Sequence, residues 1–395
     1  MIFGIDKALI RKYLEKISNV PYTVKLLNED EFMIGTGNPE FSVKVNKPIK
    51  QADLLHSTSL TLGEAYMNRG IEIEGDLFKV LDIAMSQSEK FFVDKHLLNK
   101  LIHKSTSIKI QKKEVTSHYD IGNEFYKLWL GKTMNYSCAY FKNHEDNLDT
   151  AQENKIEHIL SKLQLEEGMT LLDIGCGWGY LLLEAAKKYK IHGVGITLSE
   201  EQAKGFREKI QEERLQDYLE VKIMDYRELK HSNMVFDRVV SVGMIEHVGR
   251  KNYELFFENV DQILKPQGLF LLHFISGLKE KAGDPWIDKY IFPGGIIPTL
   301  REIIHICGDH RFYTLDVESL RQHYTKTLLC WYENYTLSID KIRTMFDDRF
   351  IRMWELYLCS CAASFHNGKL DLHQILLSKG PNNNIPLTRE HLYET

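Results

Sequence analysis

The sequence predicts an α/β protein in which a doubly wound, mostly parallel sheet follows a small N-terminal α+β domain. Three observations support this fold class. From about residue 116 onward, short apolar runs alternate with helical patterns. Three glycines stand between one of these runs and the helical pattern that follows it. Before residue 100, helical spacing is mixed with strand-like alternation.

The N-terminal part combines both kinds of secondary structure. Apolar residues at helical spacing predict a helix over residues 2–17, and a second helical pattern runs from about 53 to 104. Between them, "YTVKLLNEDEFMIG" and "FSVKVN" alternate as strands do. We therefore divide the chain into a small domain (1–94), a basic linker (95–115) and an α/β domain (116–395).

Residues 95–113 hold six lysines and no acidic residue, in a chain whose net charge is −5. Such a run is often a solvated linker or helix face. It could instead attract anionic lipid, at about 1 kcal/mol per basic residue near such a surface. The sequence leaves both interpretations open.

The larger domain contains five predicted strands and three predicted helices. The strands are "TLLDIG", "IHGVGIT", "YLEVKIM", "FDRVVSVG" and "GLFLLHFI", and the helices are "YLLLEAAKKY", "SEEQAKGFREKIQEERL" and "NYELFFENVDQIL". Strand–helix alternation of this kind indicates a parallel sheet. Ligands of such sheets bind outside the carboxyl ends of the strands, so the site is expected there.

The glycine-rich turn "DIGCGWG" indicates a nucleoside cofactor. A dinucleotide fingerprint would need a further glycine at position 180, where Tyr180 stands. No acidic residue closes the second strand, where a nicotinamide ribose would need one. Both facts argue against NAD and favour a cofactor with an amino-acid tail, such as S-adenosylmethionine. Asp225, after the third strand, could accept from an adenine amino group or simply cap a turn.

Composition and charge exclude several functions. The net charge gives no sign of nucleic-acid binding, and no apolar run approaches the roughly 18 residues of a membrane helix. The N-terminus lacks a signal-peptide core, so we expect a cytoplasmic protein. The six cysteines have no zinc-site spacing, and neither a metal site nor a disulfide is expected.

With these residues assembled, the chain resembles the cyclopropane fatty acid synthases. The segments that carry the resemblance are "SHYDIGNEFYKLWL", "MNYSCAYF", "LLDIGCGWGYLL", "GITLSEEQ", "DYRE", "SVGMIEHVG", "LKPQGLFLLH", "DPWIDKYIFPGG", "TLLCWYENY" and "SCAASF". The resemblance implies a seven-stranded methyltransferase-type sheet and an S-adenosylmethionine-dependent reaction at double bonds of phospholipid acyl chains. It also implies a homodimer and an N-terminal domain that serves lipid association or oligomerisation.

The resemblance further implies specific site residues. A catalytic pocket with a bicarbonate ion would be formed by Cys138, Glu246, His273, the Ile275 backbone and Tyr332. The cofactor contacts would be Tyr136, Ser137, Asp173, Gly175, Gly177, Thr197, Leu198, Gln202, Asp225 and Tyr226. Cys361 of "SCAASF" matches a further cysteine of the family, although its surroundings indicate the interior of an amphipathic helix. Core packing is the alternative role for Cys138, since free cysteine is often buried.

The expected chemistry explains why such residues are needed. An alkene that attacks a sulfonium methyl becomes a carbocation, and ring closure then requires loss of a proton from that methyl. Aromatic rings such as Tyr136, Tyr140 and Tyr332 can stabilise the cation, and bicarbonate can accept the proton. Two alternatives stay open: methyl branching without ring closure, and a lipid-binding protein without activity.

The substrate would lie in a bilayer, so peripheral membrane contact is also expected. The stretch "DPWIDKYIFPGGIIP" has the composition of an apolar lid over such a substrate, and its alternative is a packed loop.

Overall fold

The structure is a computed structural model that describes residues 11, 14–27, 30–90 and 121–393. The chain forms two compact units, each built from three stretches of sequence. Unit 1 contains residues 1–104, 281–293 and 328–369, and unit 2 contains residues 105–280, 294–327 and 370–395. The basic run 95–113 and the predicted boundaries at 94 and 116 lie outside the described residues, so the sequence-based domain division stays a prediction.

The secondary structure of the described residues is as follows. The strands are β1 (Tyr22–Lys25), β2 (Glu31–Ile34), β3 (Ser42–Val45), β4 (Ile71–Glu74), β5 (Thr170–Ile174), β6 (His192–Thr197), β7 (Leu219–Ile223), β8 (Phe236–Val242), β9 (Leu264–Gly277), β10 (Phe312–Ser319) and β11 (Leu370–Lys379). The helices are α1 (Gln51–His56), α2 (Thr58–Met67), α3 (Leu77–Ser86), α4 (Asn123–Tyr126), α5 (Leu148–Leu163), α6 (Tyr180–Tyr189), α7 (Glu200–Glu212), α8 (Tyr253–Ile263), α9 (Pro285–Tyr290), α10 (Leu300–Asp309), α11 (Arg321–Leu337), α12 (Ile339–Arg343) and α13 (Asp348–His366).

Unit 1 contains a four-stranded sheet in the order β2-β1-β3-β4, which confirms the small α+β component. Strand β1 is antiparallel to β2 and parallel to β3. The alternation of "YTVK" places Tyr22 and Val24 in the core. The continuous helical pattern expected from 53 onward is wrong at β4, where "IEIE" alternates and pairs with β3. Most of the helix predicted over residues 2–17 lies outside the described residues.

Unit 1 also contains residues 284–293 of the segment predicted as a lid, whose last five residues belong to unit 2. Its tryptophan, Trp286, is 3% exposed, and its indole Nε1 lies 3.2 Å from the sulfur of Met67. Helix α2 has a glycine at this contact, because a Cβ on Gly63 would lie 2.4 Å from the indole ring. Ile291 is buried as well. The packed-loop alternative therefore describes these two apolar residues.

Unit 2 contains the predicted mostly parallel sheet, with seven strands in the order β10-β11-β9-β8-β5-β6-β7. The five strands located from sequence, β5 to β9, are its parallel part, and β11 runs antiparallel to both β9 and β10. Successive residues of a strand point to opposite faces. Thus Leu171 and Leu172 enter two different apolar cores, one on each side of the sheet.

In the part of the chain that the structure describes, no helix is both long and apolar enough to cross a bilayer. Its six cysteines are free thiols. The same residues contain no cluster of histidine, cysteine or carboxylate side chains that could hold a metal ion.

Candidate active site

The glycine turn after β5 leaves the backbone open to a ligand. Gly177 has φ +55°, and a Cβ built on it would meet no protein atom within 4 Å. Gly179, with φ +80°, is needed for a different reason, because a Cβ there would lie 2.1 Å from the ring of Phe206. One glycine therefore serves the approach of a ligand, and the other allows α6 to begin against α7.

A single cleft of unit 2 lies at the carboxyl ends of β5, β6, β7 and β8. It has about 1140 Å³ of space not filled by protein atoms, its open mouth included. All ten residues predicted to contact the cofactor line it: Tyr136, Ser137, Asp173, Gly175, Gly177, Thr197, Leu198, Gln202, Asp225 and Tyr226. Parallel strands bring these distant positions together, because their carboxyl ends share one edge of the sheet.

Polar contacts hold the far side of the cleft in place. The Thr197 hydroxyl donates to Gln202 at 2.8 Å. Asp225 caps the short 3-10 helix that follows it and accepts from the Arg227 backbone N–H at 2.9 Å and from its guanidinium Nε at 2.7 Å. Both roles considered for Asp225 from sequence are therefore compatible, since a carboxylate has about four acceptor sites.

A buried lysine on the cleft wall was not found by sequence reasoning. Lys155, on α5, is 2% exposed, and its Nζ donates to the Ser137 hydroxyl at 3.0 Å. Burial lowers the pKa of Lys155 to about 8 and raises the pKa of nearby Asp173 to about 7. The burial of this lysine could have been predicted from the sequence, because Lys155 and Lys162 share a helix face with the buried Ile159.

Glu246 and Ile275, predicted to act together, are in direct contact. The carboxyl Oε1 of Glu246 accepts from the Ile275 backbone N–H at 2.7 Å. The other oxygen, Oε2, is buried and has no partner among the described residues. Burial raises the pKa of Glu246 to about 7. This side chain can therefore exist as a carboxylic acid or as a carboxylate near neutral pH.

His273 lies on β9 with 1% of its surface exposed. Its Nδ1 lies 3.1 Å from the amide Nε2 of Gln374, on β11. Its Nε2 is buried without a partner in the described part of the chain. Burial lowers the pKa of His273 to about 3, so the imidazole is neutral. Gln374 is a second residue that the sequence did not single out.

Cys138 is fully buried and is held by α11. Its Sγ lies 3.9 Å from the Thr327 hydroxyl and 4.0 Å from the Leu320 carbonyl oxygen. Burial raises the pKa of the thiol, so Cys138 is protonated at neutral pH. A neutral thiol is a poor nucleophile. The nearby Tyr140 stacks on the imidazole rings of His158 and His323, with centroids 4.2 and 4.8 Å away.

The two remaining predicted residues, Tyr332 and Cys361, belong to unit 1. Burial raises the pKa of both, to about 12 for Cys361, which lies within α13 as its amphipathic surroundings indicated. Their catalytic roles stay predictions. Tyr324, which lies on α11 three residues before Thr327, belongs to unit 2 and is 9% exposed.

Comparisons with known proteins show which family the chain resembles. Residues 106–375 match the model of the mycolic acid cyclopropane synthetase family, and residues 9–96 match a domain of unknown function. A cyclopropane-fatty-acyl-phospholipid synthase from Escherichia coli is 39% identical over 89% of this chain and 92% of its own length. A probable fatty acid methyltransferase from Pseudomonas putida is 37% identical over 95% and 97%.

A solved structure is similar to the larger part of the chain. The mycolic acid cyclopropane synthase CmaA1, complexed with SAH and CTAB, is 32% identical with a TM-score of 0.64. The match covers 68% of this chain and 98% of that protein.

Proposed function

This chain belongs to the mycolic acid cyclopropane synthetase family, and we propose on that premise that it builds cyclopropane rings into membrane phospholipid. It is an S-adenosylmethionine-dependent methyltransferase. The proposed reaction adds a methyl group to the double bond of an unsaturated acyl chain and then removes one proton to close the ring. The observation that carries the proposal is the cleft onto which all ten predicted cofactor residues converge.

The cleft fits S-adenosylmethionine by its chemistry. Asp173 Oδ1 and the amide Nδ2 of Asn135 are buried cleft-lining atoms without a partner among the described residues. An acceptor and a donor of this kind suit the ammonium and the carboxylate of an amino-acid tail. The open backbone at Gly177 allows the ligand to approach closely. When bound, S-adenosylmethionine supplies an electrophilic methyl group.

The residues around Glu246 fit a bicarbonate ion, which would supply a base that is already held in the site. Glu246 Oε2 and His273 Nε2 are buried polar atoms without a partner among the described residues. With a pKa of about 7, Glu246 can carry a proton and donate it in a hydrogen bond to an anion. Cys138 stays a neutral thiol and adds no competing nucleophile.

Aromatic rings would stabilise the positive charge on the acyl chain. Tyr136 lines the cleft and is held by Trp129, whose ring centroid is 5.3 Å away. Tyr140 stacks on the imidazole rings of His158 and His323. We propose Tyr136, Tyr140 and Tyr332 for the role, at roughly 0.5–2 kcal/mol for each cation–π contact.

Membrane contact follows from the proposed substrate, because the acyl chain lies inside a bilayer. The lysine-rich run 95–113 is the proposed contact with anionic lipid. Binding to anionic vesicles should weaken as salt is added. A variant in which these six lysines are replaced by glutamine should bind the vesicles less tightly than the wild type. Salt-independent binding would contradict the role of the run. The cytoplasmic location stays a prediction, and so does the homodimer, which sedimentation equilibrium would test.

The reaction itself is tested with labelled S-adenosylmethionine and vesicles of monounsaturated phospholipid. Label should enter the lipid, and proton NMR should show the high-field hydrogens of a cyclopropane. Removal of bicarbonate and the Glu246→Ala variant should each reduce turnover at least tenfold. Label without ring hydrogens would indicate methyl branching, and no label in lipid would favour a lipid-binding protein. Either result would overturn the proposal.

A further inference from the structure

A row of two buried polar side chains and one half-buried carboxylate crosses the antiparallel end of the sheet in unit 2. Gln374 on β11 lies directly opposite His273 on β9 and directly opposite Glu318 on β10. Directly opposed residues of an antiparallel pair have their Cβ atoms about 4.5–5.5 Å apart. The strand register therefore fixes the contact of Gln374 with His273, and a one-residue slip would abolish it.

The orientation of the Gln374 amide is set by a charged neighbour. The Nζ of Lys162, on α5, donates to Gln374 Oε1 at 2.8 Å and to Glu318 Oε2 at 2.5 Å. A lysine ammonium has donors only, so the amide must present its oxygen to Lys162. The amide NH₂ then faces His273 Nδ1 at 3.1 Å. The reverse orientation would place two donors against each other.

The lysine charge is itself held in place by Glu318. This carboxylate also contacts His158 Nε2 at 2.7 Å. Burial would raise the pKa of Glu318, but the hydrogen bond from His158 and the charge of Lys162 hold it at about 2. Glu318 therefore remains ionised and keeps Lys162 oriented toward the amide.

These contacts determine where the proton of His273 resides. A neutral imidazole has one N–H, and Nδ1 must accept from Gln374. We propose that Gln374, oriented by the Lys162–Glu318 ion pair, is a positioning residue that locks His273 in the Nε2–H tautomer. The imidazole then donates a hydrogen bond to a bound anion instead of taking a proton from it. The identity of that anion as bicarbonate rests on the proposed function, whereas the tautomer does not.

The tautomer can be measured in the ligand-free protein by NMR with ¹⁵N-labelled histidine. The His273 signals are assigned by their loss in His273→Gln. In the wild type, Nδ1 should show the shift of an unprotonated nitrogen and Nε2 that of a protonated one. Gln374→Glu places an acceptor opposite Nδ1, so the two shifts should exchange. A wild-type protein with its proton on Nδ1 would overturn the inference without any variant.

The kinetic consequence is specific to the anion. Gln374→Glu and the nearly isosteric Gln374→Met should raise the apparent KM for bicarbonate at least tenfold, while the KM for S-adenosylmethionine changes less than twofold. Ser378→Ala is the matched control, because this buried residue of β11 loses a hydrogen bond to Gly380 at 2.8 Å without touching His273. It should change neither the tautomer nor the bicarbonate KM.

Two outcomes are informative in opposite ways. A reversed tautomer in Gln374→Glu with an unchanged bicarbonate KM would refute the positioning role. Turnover of the wild type that needs no bicarbonate would refute that part of the proposed function, and the NMR result would still decide the tautomer.

Discussion

Gly177 offers a test that separates cofactor binding from folding. Its φ of +55° lies in the left-handed region, which costs an alanine about 1–2 kcal/mol. A Cβ at this position meets no protein atom within 4 Å. Gly177→Ala should therefore lower the free energy of unfolding by only this backbone cost. The expected change in Tm is about 2–8 °C.

Gly177→Ala should also weaken the binding of the cofactor. The added methyl group projects into the cleft that Gly177 lines. Forcing a methyl group into an occupied contact costs about 1–3 kcal/mol. At 1.4 kcal/mol per factor of ten, the Kd for S-adenosylhomocysteine should rise about 5- to 150-fold. Isothermal titration calorimetry measures this directly, and thermal melting measures the stability change.

Gly380 provides the matched control for this experiment. It has φ +72°, open space around its Cβ and no place on the cleft. Gly380→Ala should lose similar stability and keep the wild-type Kd. Equal Kd values for the two variants would show that the cofactor does not approach the backbone at Gly177. Gly179→Ala should lose more stability than either variant, since its Cβ would overlap Phe206 in addition to the cost of its positive φ.

Three further predictions concern other parts of the molecule. Folding raises the pKa of Glu246 from its ordinary 4.5 to about 7, so the folded state binds more protons between these values and the free energy of unfolding falls as pH rises through them. Glu246→Gln lacks this pH dependence. In urea titrations, its free energy of unfolding should therefore rise relative to that of the wild type by on the order of 3 kcal/mol between pH 4.5 and pH 8. If the difference between the two proteins does not change with pH, Glu246 is not a buried, titrating carboxyl. Cys138 should resist iodoacetamide at pH 8 in the folded protein, because its thiol is buried and protonated, and mass spectrometry that finds it labelled as fast as in urea would disprove this. Gly63→Ala should lower the free energy of unfolding by about 1–3 kcal/mol through its overlap with Trp286, measured by urea unfolding. The control is Gly308→Ala, also in a helix, whose Cβ meets nothing and which should gain up to about 1 kcal/mol from helix propensity.

Much of unit 2 was predictable because its signals are local. Strands β5 to β9 are apolar runs bounded by turns, and a parallel sheet collects their carboxyl ends at one edge. The cofactor cleft follows from these two facts and the glycine turn. Strands β10 and β11 were not located from sequence. In β10, partly and fully exposed residues outnumber buried ones, so its apolar periodicity is weak.

The polar row of unit 2 could not be found from the sequence. His273 and Gln374 are 101 positions apart, and only the pairing register of β9 and β11 brings them together. A histidine on an apolar strand gives no sign of which partner it will have. The buried lysines of α5 differ, since their helical spacing with Ile159 is local and visible. The role of Tyr332 stays a prediction, because this residue belongs to unit 1 whereas Cys138 belongs to unit 2.

The composition of unit 1 has a consequence for the order of synthesis. Strands β1 to β4 leave the ribosome long before α13, which belongs to the last stretch of unit 1. Arg352 of α13 donates to the carbonyl oxygens of Tyr66 and Ile71, and Asn367 donates to Asp82. Tyr66 must therefore wait for a partner that is synthesised 286 residues later. A nascent polypeptide stalled before α13 would present an unfinished unit 1 to chaperones.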